Sequence, residues 1–432
     1  MTASPTPPAV SLSSLLKRAV VDADGKALGR LEDVVTWLRD DAYPLLHGLV
    51  VGEEGNRVFV PATDIASVDP DKIRLHAARQ DSRLFERREG EVLLKQDVLG
   101  HRLLDVDRST LVRAYDIRLA STEAGWLAVG LDVHKHHWFQ FGAHEHHPAR
   151  DWHSFLLLIG TPSVLKSRYA ASHIRRLKPA QLADIIEGAS PQEQHLLLAQ
   201  VHADPELEAD VFEELDENKQ TLLFRSRSDA EVADVLSRMR GDDVADAIMD
   251  LPQERRRKVL DLLPPAQSAK VTALLGYNAA TAGGLMSTDY LAISEESSIA
   301  DALLKLRAAT TQQPEAMTTI HTLRPDGTLA GTLTLVRALQ LEPTSQLSEV
   351  ADLDTVVASP DDDIVAVTTR MADFNLLTLP VLDPDGRLLG VVTVDDALEA
   401  AIPRDWYRRA SGQPTAMRRR KVLLDEVKAT KH

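Results

Sequence analysis

The chain has 432 residues, with 49 Lys plus Arg against 65 Asp plus Glu and a formal charge of −16. This balance excludes nucleic acid as the expected partner of the bulk surface, because phosphate contacts need clustered cations. No cysteine is present, which removes disulfides, thiolate catalysis, iron–sulfur clusters and zinc ribbons.

Residues 1–16 open on Met1-Thr2-Ala3-Ser4-Pro5-Thr6-Pro7-Pro8, with neither the basic start nor the apolar stretch of a signal peptide, and read as a disordered N-terminus. Apolar runs are of the kind Phe155-Leu156-Leu157-Leu158-Ile159, far short of the roughly 18 residues a membrane helix needs. A soluble, cytoplasmic protein without a transmembrane segment is expected.

Strand-like alternation then occurs twice. Val20-Val21-Asp22-Ala23-Asp24 returns as Leu103-Leu104-Asp105-Val106-Asp107, and at the same offset Leu28, Arg30 and Asp33 fall on Leu111, Arg113 and Asp116. Alternating apolar residues with Asp-Gly turn signals predict short half-buried strands, hence two small β-barrels in tandem over residues 17–80 and 92–133. The stretch Val21-Asp22-Ala23-Asp24-Gly25-Lys26-Ala27-Leu28-Gly29-Arg30-Leu31-Glu32-Asp33-Val34 resembles the opening hairpin of a PRC-barrel domain. That resemblance implies an adaptor that docks other proteins; packing of one barrel on its neighbour is the plainer alternative.

Residues 134–173 form a His-rich linker. His134, His136 and His137, and ten residues later His144, His146 and His147, make two His-x-His-His groups able to chelate a borderline metal such as zinc, nickel or copper. A solvated linker with no selective site is the competing reading.

From residue 174 to 282 the pattern turns helical. An Ala-Asp pair followed by apolar residues recurs at Ala183-Asp184, Ala209-Asp210, Ala233-Asp234 and Ala245-Asp246, punctuated by Ser190-Pro191, Asp204-Pro205, Leu251-Pro252 and Pro264-Pro265. Pro suits the first helical turn, and units this short must stack to bury an apolar face, which predicts a small α-solenoid. Two units follow at residues 283–341 and 342–402, where Pro325-Asp326-Gly327 through Thr334 matches Pro384-Asp385-Gly386 through Thr393, 59 positions on. This βαββα-like repeat resembles a CBS-domain pair. The predicted fold class is therefore multidomain α+β: tandem small β-barrels, an α-solenoid-like helical domain, then a CBS pair.

The junction Thr281-Ala282-Gly283-Gly284-Leu285-Met286, together with this order of parts, resembles the cytosolic region of MgtE-type magnesium channels and transporters, with an acidic helical N domain followed by a CBS pair. The resemblance implies magnesium sensing, with acidic groups of the two modules sharing ions. It places Asp242, Asp243 and Asp246 as ligands on the helical side, and Asp395 and Asp396 on the CBS side. The alternative is that Asp242 or Asp243 caps a helix and Asp246 is a solvated acid. CBS pairs also bind adenine nucleotides, holding ribose with a Thr or Ser followed three residues on by Asp; Thr393 and Asp396 fit that spacing, whereas in the first unit Thr334 is followed by Arg337. Capping of the last helix is again the plainer alternative. The family's Glu-rich linker helix and membrane pore have no counterpart in Ala400 through Arg409 or beyond, so a sensed ion would have to signal to a separate membrane metal transporter or another protein partner. Homodimerisation through the CBS pair is expected from the resemblance. No nucleophile–base pair, phosphate loop or cofactor fingerprint supports an enzyme.

Residues 403–432 are a basic tail that includes Arg418-Arg419-Arg420-Lys421, suited to an anionic partner or to mere solubility. The acidity lies elsewhere. Residues 291–401 carry six Lys/Arg against 18 Asp/Glu, and residues 174–290 carry 13 against 21. A divalent cation is the partner such facing charges call for.

Overall fold

The structure, a computed structural model, describes residues 9–38, 43–53, 55–77, 83–134, 149–158, 168–310 and 312–402. The chain divides between Leu215 and Asp216 into two compact units, and each is described by itself.

The first unit begins with β1 (Ala9–Ser11) and a helical turn α1 (Leu12–Leu15). Strands β2 (Ala19–Val21), β3 (Ala27–Trp37), β4 (Leu46–Glu53), β5 (Asn56–Pro61), β6 (Ile65–Val68), β7 (Lys72–Leu75) and β8 (Arg83–Leu84) form a sheet in the order β6-β7-β2-β3-β4-β5-β8, and β9 (Glu91–Leu93) pairs with β3. The second copy supplies β10 (Arg102–Asp105), β11 (Thr110–Arg113), β12 (Asp116–Thr122) and β13 (Gly125–Asp132), joined by β14 (Arg150–Asp151) and β15 (Phe155–Leu157) in two sheets, β1-β12-β13-β14 and β11-β10-β15. Among the described residues these sheets stay open rather than closing into two barrels. One apolar core serves both copies, with Leu12, Val20, Leu31 and Val34 in the same cluster as Leu103, Ile117, Leu131, Trp152 and Phe155.

The two copies exchange their leading segments. Ala9, Val10 and Ser11 pair with Ala120, Leu119 and Arg118 of the second copy, while Glu91, Val92 and Leu93 pair with Trp37, Thr36 and Val35 of the first. The repeated aspartates fasten the exchange. Asp33 accepts from the backbone N–H of Lys95 (2.7 Å) and Gln96 (3.0 Å), at the turn that opens the second copy. Asp116 accepts from the Ser13 N–H (3.1 Å), at the turn that opens the first, and also from the Ser11 hydroxyl. Two expected boundaries therefore move. Residues 9–15 are structured rather than disordered, because β1 completes an edge of β12. Residues 150–157, expected within the linker, supply β14, β15 and the fully buried Trp152 and Phe155. Of the expected metal-binding histidines, His136, His137, His144, His146 and His147 lie outside the described residues. The basic tail 403–432 lies outside them as well.

Helices α2 (Arg168–Ile174), α3 (Pro179–Gly188), α4 (Pro191–Val201) and α5 (Pro205–Glu213) complete the first unit. They are tied to the β region by Arg176 Nη2 to Asp107 Oδ1 (2.6 Å) and Arg102 Nη1 to Glu193 Oε2 (3.0 Å). Ser190 caps α4 reciprocally with Glu193.

The second unit starts with α6 (Glu217–Arg225), α7 (Asp229–Leu236), α8 (Gly241–Asp250), α9 (Gln253–Leu262) and α10 (Pro265–Leu274). Here α7 packs on α9 and α8 on α10. In all four Ala-Asp pairs the Ala is buried and the Asp exposed, so the repeat marks one buried and one acidic face.

A short turn α11 (Ala282–Leu285) leads into β16 (Leu291–Ser294), α12 (Ile299–Ala308), β17 (Thr319–Leu323), β18 (Leu329–Thr334), α13 (Leu335–Leu339), α14 (Leu347–Val350), α15 (Ile364–Asp373), β19 (Thr378–Leu382), β20 (Leu388–Thr393) and α16 (Val394–Ala401). The predicted Asp-Gly turns hold, with Gly327 and Gly386 at φ +84° and +80°. Equivalent residues meet between the two units of the pair: Thr378 Oγ1 donates to Thr319 Oγ1 (2.8 Å), and Thr328 bridges Arg387. These units also exchange leading segments, Ser287 bridging Val391 and Asp352 bridging Thr332. The junction needs its glycines because neighbouring atoms crowd them. A Cβ on Gly284 would lie 2.3 Å from the Asn278 carbonyl oxygen, and one on Gly283 would lie 2.6 Å from the Tyr277 ring. Among the described residues no helix is long and apolar enough to cross a membrane.

Two stability effects follow. Asp33→Ala leaves the Lys95 and Gln96 N–H groups without their acceptor and is expected to destabilise the first unit by about 1–3 kcal/mol, read by denaturant unfolding. Gly284→Ala drives a methyl into backbone that cannot swing aside, with a cost of about 1–3 kcal/mol to the second unit, read as a lower melting temperature.

Candidate functional site

The apolar face of α8 sets the first half of the site. Val244, Ala245, Ala247 and Ile248 are buried, which fixes the rotation of the helix. Arg240 and Asp242 are thereby held at its N-terminus. The second half lies where β20 passes into α16. Thr393 is fully buried, and Asp396 is only 8% exposed.

Arg240 joins the halves. Its Nε donates to Asp243 Oδ2 (2.7 Å) on its own helix, its Nη1 donates to Asp396 Oδ1 (2.9 Å) on α16, and Asp395 Oδ2 stands 4.0 Å from the same nitrogen. The other oxygen of Asp396 accepts from Thr393 Oγ1 at 2.5 Å, and Thr393 caps α16 by accepting from the Asp396 N–H. In this arrangement both carboxylate oxygens of the residue expected to hold ribose are engaged. The first CBS unit repeats the cap without the acid, Thr334 Oγ1 accepting from the N–H of Arg337.

The carboxylates outnumber the guanidinium. Burial is the first cause raising Asp242 well above the ordinary carboxylate range, with Asp243 and Asp396 adding repulsion and Arg240 opposing them. Burial likewise raises Asp243 against the pull of Arg240. Asp396 is pushed up to about 6, again by burial first, with Arg240 and Thr393 opposing. Glu399 is raised by burial and by Asp396 and Asp395. Asp246, whose side chain lies on the exposed face, is raised to about 6 by desolvation and by Asp243, Asp250 and Glu217. Oδ1 of Asp242 is buried and has no hydrogen-bond partner. Such an orphan acceptor is costly, and it sits among more carboxylates than one guanidinium balances.

The residues expected from the sequence therefore separate. Asp242, Asp243, Asp395 and Asp396 meet around Arg240. Asp246 sits one turn along α8 and shares the charge of Asp243, whereas His134 lies in the first unit with its Nδ1 3.1 Å from Asp132 Oδ1. Among the described residues no three His, Asp or Glu side chains converge as a ready metal cage; in this arrangement a guanidinium holds the acids. Sequence reasoning missed Arg240 and Glu399. Both were signalled, Arg240 by directly preceding Gly241-Asp242-Asp243, and Glu399 by lying one turn from Asp395 on the same helix. The donor set is all carboxylate oxygen, which suits a hard cation such as Mg²⁺.

Comparison with known proteins agrees with this layout. Residues 177–280 match the MgtE intracellular N domain and residues 347–402 the CBS domain. The magnesium transporter MgtE of Thermus thermophilus is 36% identical over 163 residues, 37% of this chain and 36% of that protein. The magnesium transporter MgtE of Bacillus subtilis is 23% identical over 237 residues, 55% of this chain and 52% of that protein. The chain thus spans about a third to a half of these curated relatives. The crystal structure of the cytosolic domain of the Mg²⁺ channel MgtE in complex with ATP is similar with a TM-score of 0.50 and 28% identity, over 54% of this chain and 94% of that one. This chain contains an MgtE N domain and a CBS domain homologous to the cytosolic domains of MgtE. Neither family match reaches the β modules, whose likeness to PRC-barrels rests on their sequence motif.

The raised carboxylates fix a pH response. Asp246 and Asp396, near 6 when packed and near 4 when unfolded, make the packed form bind more protons. The stability they contribute is fully present below about pH 4 and is lost as pH rises through about 6. Amide exchange in α8 and α16, corrected for intrinsic rate, is expected to be slower at pH 5 than at pH 7.5, and Asp246→Asn should flatten the difference. Reading the two helices locally matters because the fully buried His321, lowered to about 4 by burial, weakens the first CBS unit over an overlapping range.

Proposed function

We propose that the acidic site around α8 and α16 senses a divalent cation, Mg²⁺ foremost, and that its change of packing is passed to a membrane metal transporter or another protein partner. The observation that carries this reading is Asp242, a buried carboxylate with one oxygen unpartnered, set beside Asp243 and Asp396 with Arg240 as their counter-charge. Asp242, Asp243, Asp395 and Asp396 would hold the ion, with Asp246 adding charge at the edge. A bound divalent cation supplies neutralisation that one guanidinium does not complete, and so favours the packed arrangement of the two helices. Homology to magnesium-transporter cytosolic domains supports the choice of ion. The role is regulatory, and no residue is assigned catalysis. Leu339 and Leu398, exposed at equivalent positions of the CBS repeat (66% and 53%), support pairing with a second copy through this module. The PRC-like β modules would serve as the docking element.

A second reading has its own observation. Thr393 and Asp396 keep the spacing that holds ribose in CBS clefts, and the similar MgtE domain was crystallised with ATP. Adenine-nucleotide sensing at the second CBS unit is therefore the alternative, and a purely structural adaptor the third.

Calorimetric titration separates them. Mg²⁺ is expected to bind wild-type protein at millimolar concentration or tighter. Asp242→Asn and Asp246→Asn are each expected to weaken binding, by about ten-fold for Asp242→Asn, since each removes a charge from a poorly solvated site. Heat from ATP, ADP or AMP with none from Mg²⁺ would favour the nucleotide reading. Silence from all of them would leave the adaptor.

A further inference from the structure

We infer that Arg240 is a tethered cation that latches α8 to α16 when no ion is bound, and that a free divalent cation must compete with it for the same carboxylate oxygens. The inference rests on the cation-sensing reading for the identity of the competitor, but the latch itself rests on geometry. The guanidinium spans two acids that are far apart in sequence, Asp243 on its own helix and Asp396 on α16, by separate nitrogens at 2.7 and 2.9 Å. Its planar fork suits that double contact, and arginine keeps its charge at any pH a protein survives. Being part of the chain, it is present at a fixed local concentration whatever the ion level. Arg240 also stops short of full neutralisation. Asp395 stands at 4.0 Å, and Asp242 Oδ1 is nine-tenths buried and receives no hydrogen bond.

The consequence is two packed forms, of which the ion-bound one is the more firmly held. In the ion-free form the arginine holds Asp243 and Asp396, and the helices stay packed at the cost of the orphan Asp242. An arriving divalent cation needs Asp396 and Asp243 oxygens that the arginine already occupies. It therefore has to compete with the guanidinium, whose positive charge also repels it. Arg240 would thus set the concentration at which the site responds, keeping it insensitive to low ion levels while preventing the acidic faces from springing apart.

The test uses the full chain with Arg240→Gln and Arg240→Lys, first checked for unchanged helix content by far-UV circular dichroism. Without divalent ions, Arg240→Gln is expected to speed amide exchange in α8 and α16 and to expose the junction at residues 275–281 to protease, with Arg240→Lys intermediate because it keeps charge and loses the fork. Calorimetry should show Mg²⁺ binding about ten-fold tighter to Arg240→Gln than to wild type, from the removal of a neighbouring positive charge, and Mg²⁺ should restore protection. If Mg²⁺ binds wild type but Arg240→Gln is equally protected and its affinity unchanged, the latch is wrong and the sensing reading survives. If Arg240→Gln loosens while Mg²⁺ binds neither protein, the latch stands and the sensing reading fails. Should Arg240→Gln lose helix content, Asp396→Asn removes the partner and leaves the guanidinium. It must then loosen α8 and α16 in the ion-free protein, and undiminished protection in that variant overturns the latch.

Discussion

The second unit depends on how it manages a surplus of buried negative charge. Asp242, Asp243, Asp395, Asp396 and Glu399 gather where the start of α8 approaches α16, and one guanidinium stands among them. Removing one partner from a buried ion pair costs about 3–5 kcal/mol because a desolvated charge is left behind. Arg240 with its 26% exposed side chain and Asp396 with its 8% approach that regime. Helix geometry eases the remainder. Asp242 and Asp243 lie in the first turn of α8, and Asp395 and Asp396 in the first turn of α16, where the positive end of the helix dipole favours carboxylates. The site is therefore tolerable as built, yet incompletely neutralised. That incomplete neutralisation is what the proposed cation would relieve.

Both duplicated parts of the chain use one construction. In the β region β1 joins the second copy and β9 joins the first; in the CBS pair the segment at Ser287 joins the second unit and that at Asp352 the first. Reciprocal exchange makes each copy incomplete without the other, so neither part behaves as two independent domains. In the β region the pinning group is a repeated aspartate. In the CBS pair it is the direct meeting of Thr319 with Thr378 and Thr328 with Arg387. The shared core of Leu12, Leu31, Ile117 and Phe155 is the energetic expression of the same arrangement.

Different features of the molecule were legible to different degrees. Local chemistry was readable in advance: the Asp-Gly turns, the prolines in first helical turns, the repeats and the Ala-in, Asp-out face of the helical repeat all depend on neighbours within a few positions. The four aspartates that meet at the site were readable through family resemblance. The place of the arginine beside them was signalled, but its role was not, because what completes an acidic cluster is fixed by what faces it.

What the sequence by itself determined is the set of modules, their order and the acidic character of the two that carry the site. Periodicity, turn residues and composition act over short stretches and need no knowledge of the fold. The tertiary structure alone decided which copy each leading strand joins, that the two β copies share a core, and that Arg240 reaches Asp396 across 156 positions of chain. Those features arise from contacts between segments remote in sequence, where burial and charge pairing select among alternatives that local patterns leave equally open.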